Sequence, residues 1–236
     1  MVCKGIDIEQ VSEFKYLGIT LYPTLTFQIH FERVLGRVSA AVGCLMLIKR
    51  YLNLRSFKTL IHSFVYSIFD YCFIVWGNVS ETNIKILQSK INALLGSFFY
   101  PQLCNKYQRI KKIAYSSNGR QLKCPTIDYL ELHEMCNLLT VSERLDYFQT
   151  LFVFKALKFQ RIPEITNHFT FGNSDRVRNL AIPSHNSKFY ENSPFYQCIL
   201  SWNKKSSEIR DLDNPKFLDD LNTWLIDHRM SEFVSK

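Results

Sequence analysis

Apolar residues at helical spacing, repeated over three consecutive segments, constrain this chain more than any other feature. Val34, Val38, Ala41, Val42 and Leu45 recur as one face of a helix. Phe57, Leu60, Ile61, Phe64, Val65 and Ile68 repeat the pattern from near Ser56. Ile84, Leu87, Ile91, Leu94, Leu95 and Phe98 give it a third time, over about 81–99. Thr26 offers an N-cap for the first helix, Gly77-Asn78 a stop for the second, and Pro101 lies just past the third. Three amphipathic helices with short joins predict a compact bundle. With only 8 Gly and 7 Pro in 236 residues, the chain lacks the punctuation of a turn-dense β fold.

The segments on either side are different. Ile6 and Ile8 flank Asp7, and Phe14–Leu21 alternates, with Leu17, Ile19 and Leu21 on one side and Lys15 beside them near the edge. Tyr22-Pro23-Thr24 ends this β segment. Beyond the bundle, residues 102–125 hold Lys106, Arg109, Lys111, Lys112, Arg120 and Lys123 and no acid, with turn-prone Ser116-Ser117-Asn118-Gly119. They predict a basic loop or short helix between subdomains. Helical pattern returns over 126–137 and over 141–159, where Ser142 can cap. Residues 161–192 are polar and irregular. Residues 195–202 and 214–229 close the chain as helices, with Pro215 in the first turn of the last. The expected architecture is mainly α. A short N-terminal β-hairpin (1–22) precedes a three-helix bundle (23–101), a basic linker (102–125) and a second, smaller helical region (126–236).

Charge is unevenly shared. Residues 1–120 carry 15 Lys+Arg and 6 Asp+Glu, and the remainder carries 14 and 15. Between Arg33 and Lys123 stand 14 basic residues and two acids, Asp70 and Glu81. A polyanion is the natural partner of such a stretch, through phosphate contacts and counterion release. His30, Arg33 and Arg37 fall on a face of the first helix other than its apolar stripe, at i, i+3 and i+7. They form either a row that tracks a phosphate backbone or an ordinary solvated face. Lys49, Arg50, Lys111 and Lys112 extend the basic set.

Catalytic constellations are scarce. Phe217-Leu218-Asp219-Asp220 has the only adjacent carboxylates, but in an amphipathic helical pattern rather than on a turn between two strands. Six His residues lack ligand spacing, and no Gly-rich phosphate loop or nucleophile elbow occurs. Cys124, His133 and Cys136 are the nearest approach to a metal set, and they lack a second tight pair. No cofactor is expected. Seven scattered Cys, none at CxxC spacing, predict reduced thiols in an intracellular compartment, nuclear or cytoplasmic, and not a secreted protein. The apolar run 59–76 is interrupted by His62 and Asp70, which favours a core helix over a membrane span.

Phe14-Lys15-Tyr16-Leu17-Gly18-Ile19 resembles the segment just after the palm of non-LTR (LINE, jockey-like) retrotransposon reverse transcriptases, the primer grip. The similarity continues in order through Asp70-Tyr71-Cys72 with Val75-Trp76-Gly77, then Leu87-Gln88 with Asn92. It runs on through 139–145 (Leu-Thr-Val-Ser-Glu-Arg-Leu) and Phe154-Lys155-Ala156-Leu157 to Trp202-Asn203, Ile209-Arg210 and Phe217. The resemblance implies a thumb-like bundle and the region downstream of it. In that family the thumb holds the template–primer duplex. By position, Lys15 and Tyr16 would lie near the primer end, and His30, Arg33 and Arg37 on the first thumb helix. Met1 falls after the family's catalytic Asp-Asp box. The resemblance therefore implies a truncated RNA-directed DNA polymerase that binds RNA or DNA without catalysis, with possible association with an intact reverse transcriptase. An inert or protein-binding helical remnant is the alternative. Tyr22 replaces a frequent Asp, Gly96 a common Arg, and Lys204-Lys205-Ser206 the usual x-Leu-Pro after Trp-Asn, which suggests a degenerate copy. Trp76, Trp202 and Phe217 read as core anchors, and Asp70 as a residue that caps or pairs locally.

Overall fold

The computed structural model describes residues 2–3, 6–7, 11–24, 26–114, 129–172 and 179–229. It is mainly helical, with short antiparallel hairpins at the N-terminus. Strands β1 (Val2–Cys3) and β2 (Ile6–Asp7) form one hairpin, and β3 (Phe14–Tyr16) and β4 (Ile19–Leu21) the other. The alternation over 14–21 predicts a single run, but the chain reverses at Leu17-Gly18. Both have positive φ, 45° and 85°, the backbone of a tight two-residue hairpin turn. Leu17 is therefore 70% exposed, while Ile19 is buried. The register pairs Phe14 with Leu21, Lys15 with Thr20 and Tyr16 with Ile19.

Helix α1 (Gln28–Ile48) buries Phe31, Val34, Val38, Val42 and Leu45, one face at helical spacing. Its N-cap is Phe27 in a left-handed conformation rather than Thr26, whose hydroxyl instead meets Thr24. A 3-10 turn, Lys49–Tyr51, leads to α2 (Leu54–Leu60), which Asn53 caps by accepting the Ser56 N–H at 2.8 Å. The helix widens into a π segment, Ile61–Tyr66, and resumes as α3 (Ser67–Asp70). It does not run on to Gly77-Asn78. Extended Tyr71 and left-handed Cys72 break it, and the short α4 (Phe73–Trp76) follows. The Trp76 Nε1–H then donates to the Tyr71 carbonyl at 2.9 Å, with its ring fully buried. At Gly77 a Cβ would lie 2.4 Å from the Phe73 carbonyl oxygen and 2.8 Å from Leu145 Cδ1, so only glycine fits.

Helix α5 (Glu81–Ala114) passes through Pro101 instead of ending near Phe99. Proline removes one backbone donor there. The residues after it, up to Ala114, include no turn-forming run, so the helix continues through 102–114, the first half of the linker that the charge pattern predicts. Helix α6 (Tyr129–Cys136) follows the undescribed stretch 115–128. Helix α7 (Val141–Phe159) is capped by Thr140 rather than by the expected Ser142. Thr140 and Glu143 form a reciprocal capping box, with the Thr140 N–H donating to Glu143 Oε2 at 2.8 Å. Short helices α8 (Pro163–Thr166) and α9 (Lys188–Glu191) punctuate the irregular stretch. Helix α10 (Pro194–Asn203) has Pro194 in its first turn and Ser193 as cap. Helix α11 (Phe217–Asp227) starts two residues after Pro215, which lies outside its first turn.

The described residues form two apolar cores. The first gathers α1 to α6 around Phe31, Phe69, Trp76, Leu87 and Leu94. The second gathers α7, α10 and α11 around Val153, Phe154, Trp202, Phe217 and Leu221. Trp76, Trp202 and Phe217 are the buried anchors expected of them. Helix α7 serves both cores: Val141, Leu145 and Phe148 face the first, and Val153, Phe154 and Leu157 the second.

Candidate nucleic-acid interface

The hairpin and the start of α1 bring together Lys15, Arg33 and Arg37. Strand β4 packs against α1, which leaves β3 as the outer strand. Buried Thr20 on β4 accepts a hydrogen bond from Arg33 Nη1 at 2.6 Å. Arg33 Nη2 also pairs with Glu13 at 3.3 Å, and the Tyr22 hydroxyl donates to the same carboxylate. That hydroxyl first, and Arg33 after it, holds the Glu13 carboxyl below its ordinary pKa. Lys15 stands directly opposite Thr20, so both project from one face of the hairpin, the face Arg33 meets. Arg37 is exposed one turn farther along α1.

His30 does not join this row. It is only 7% exposed, its Nδ1 accepts the Thr20 N–H at 3.4 Å, and its ring stands edge-on to Trp76 at 5.4 Å. Burial first, then the charges of Arg33 and Arg37, lowers its pKa, which keeps the ring neutral near pH 7. The helical spacing that groups His30 with Arg33 and Arg37 misses the hairpin that covers the first turn of α1.

The remaining cations lie elsewhere. Lys49 Nζ donates to the Ser97 carbonyl at 2.8 Å and ties the end of α1 to α5. Arg50 is exposed, with its guanidinium 4.8 Å from the centre of the Tyr51 ring. At ~1.5 Å of rise per residue, Arg50 lies roughly 25 Å along the axis from Arg33. Two cationic points so far apart suit an extended polyanion rather than a small anion. The gap is roughly seven steps of a duplex at ~3.4 Å each. Lys111 and Lys112 fall on α5, with side chains outside the described residues, and Arg120 and Lys123 lie outside them altogether. Tyr16 is exposed on β3, with its ring beside that of Phe14.

The possible metal ligands have other roles. His133 is fully buried, with Nε2 at 2.9 Å from Gln88 Nε2 and 3.1 Å from Asn92 Oδ1. Burial, and then the Arg229 charge, pulls its pKa down to about 4. Burial pushes the neighbouring Cys136 thiol up to about 11. Cys124 lies outside the described residues. Asp219 and Asp220 are exposed on α11, and Asp220 accepts from Asn214 Nδ2 at 2.9 Å. Among the described residues no three metal-ligating side chains meet, and no helix is long and apolar enough to cross a membrane.

Asp70 is paired, though not locally: it takes Arg144 of α7. Several residues that carry the resemblance turn out to be joints of this kind. Gln88 Oε1 accepts the Val141 N–H at 2.7 Å, and Asn203 both donates to and accepts from the Leu180 backbone. Glu143 binds Arg229, which also donates to the Leu138 carbonyl at 2.9 Å. No protein-family model, curated protein or solved structure matches the chain.

Proposed function

We propose that this chain is the thumb and downstream helical portion of a non-LTR retrotransposon reverse transcriptase, and that it holds the sugar–phosphate backbone of RNA or DNA without sequence preference. One observation carries the reading. From Arg33 to Ser80 the sequence contains a single acid, Asp70, and Arg144 neutralises it inside the protein. Arg33 is offset by Glu13 and stands beside Glu32 on α1, but Arg37 on α1, Arg50 in the 3-10 turn and Arg55 on α2 are exposed in a stretch, Val34 to Phe69, that contains no acid. Their positive field attracts phosphates irrespective of base identity. The ordered resemblance from Phe14 to Phe217 supplies the family. Fluorescence anisotropy with unrelated oligonucleotides at low salt tests the reading. Charge reversal of Arg33 and Arg37 is expected to weaken binding to all of them alike. Absence of binding at low salt, or binding indifferent to these reversals, refutes it.

A second reading is a protein-binding helical remnant with no nucleic-acid role. It draws on the corner between α1 and α2, where Leu47 is 77% exposed and Tyr51 74%, with Ile48 and Leu54 beside them. Salt-resistant self-association in light scattering, without nucleic-acid binding, would favour it.

A further inference from the structure

We infer that the outer strand β3 is a stacking site for unpaired nucleobases. The inference rests on the proposed nucleic-acid role and says which part of the nucleic acid this edge takes. Phe14 and Tyr16 sit two residues apart, so both point to the same face of the strand. They are 57% and 58% exposed, in a protein that buries Phe31, Phe57, Phe69, Phe73 and Trp76 completely or nearly so. Their rings are close to parallel, with an interplanar angle of 24° and centroids 6.5 Å apart. The two rings lie side by side as a platform, and each residue is more than half exposed, so a base can stack on its open side. Lys15, the residue between them, projects from the opposite face beside Thr20 and Arg33.

A single strand laid along β3 therefore meets rings on one side of the edge and cations on the other. This is the combination that binds bases and phosphates together without reading sequence. A blunt duplex keeps its bases stacked on one another and offers these rings little. The site is also held in place. The Tyr71 hydroxyl donates to the Leu17 carbonyl at 2.7 Å, and the Tyr71 ring lies against Gly18, which fixes the turn that ends β3.

The test compares the full chain with its Phe14→Ala/Tyr16→Ala variant, titrated against a single-stranded oligonucleotide and a blunt duplex of matched length. The variant is expected to lose about tenfold or more in affinity for the single strand, and less than about twofold for the duplex. Tyr16→Trp, which keeps a ring there, is expected to keep single-strand affinity. Equal losses on both ligands, no loss on the single strand, or loss in Tyr16→Trp overturns the inference. If the unaltered chain binds only the duplex, stacking fails while backbone binding stands. If it binds neither, both fail.

Discussion

Asp70 and Arg144 stand 74 positions apart and meet in a two-pronged ion pair between α3 and α7. Arg144 Nε donates to Oδ1 at 2.9 Å, and Nη2 donates to Oδ2. The guanidinium also lies over the Tyr66 ring, 4.1 Å from its centre, and Tyr66 in turn donates to the Leu139 carbonyl. The pair neutralises the one acid between Arg33 and Ser80 and fastens the helix shared by both cores. Removing either partner leaves a mostly buried charge alone. Asp70→Ala and Arg144→Ala are each expected to cost about 3–5 kcal/mol in urea unfolding. The double variant should be destabilised by clearly less than the sum.

Gly77 marks a second junction, where α4 passes under Leu145 of α7. A methyl group placed there meets backbone, which cannot swing aside as a side-chain end can. Gly77→Ala is expected to destabilise by about 1–3 kcal/mol. A shifted urea midpoint at unchanged slope is the readout. Gly36 and Gly43 have open space around them, so alanine at either should not reproduce the effect.

Acid should loosen the joint at His133. Its folded pKa of about 4 lies below the ordinary 6.5, because burial and then Arg229 disfavour the imidazolium. Between those values the unfolded chain binds a proton that the folded protein does not. The stability linked to this residue is therefore present above pH 6.5 and is lost as pH falls toward 4. His133→Leu is expected to flatten the stability profile across that window by up to about 3 kcal/mol. Unfolding curves collected at stepped pH measure it, and identical slopes in both proteins would contradict the assignment.

Thiol labelling should separate three of the described cysteines, Cys44, Cys136 and Cys198, by position. Cys44 is exposed on α1, whereas Cys136 and Cys198 are buried, with pKa values pushed by burial up to about 11 and about 12. Under native conditions, mass spectrometry after maleimide treatment is expected to find Cys44 modified and the other two untouched.

The helices are legible in the sequence because their apolar spacing is a local signal. Val34 to Leu45, Leu87 to Leu95 and Val153 to Leu157 each declare a face within a few turns of chain. The hairpin is harder to read, because Phe14 to Leu21 alternates straight through the turn, and only Gly18 hints at it. Pro101 misleads, since a proline signals a boundary in sequence and yet is carried inside α5. The candidate interface is half visible. Charge counting finds Arg33, Arg37 and Arg50, but it cannot know that His30 lies beneath the hairpin or that Lys49 is held by Ser97. No local pattern links Asp70 to Arg144 or Glu143 to Arg229, because those pairings exist only after the chain has folded back on itself. Exposed Phe14 and Tyr16 are concealed by the ordinary expectation that aromatic residues in an alternating strand face a core.

The most direct test of backbone binding is how affinity falls with added salt. The logarithm of Kd is measured against the logarithm of salt concentration for the unaltered chain, for Arg33→Glu/Arg37→Glu and for Arg50→Glu/Arg55→Glu. A steep linear dependence is expected for the unaltered chain. Each pair of reversals should lower the slope, by about one for every phosphate that is no longer neutralised. Affinity insensitive to salt, or slopes that both pairs of substitutions leave unchanged, would contradict a phosphate backbone lying along α1 and α2.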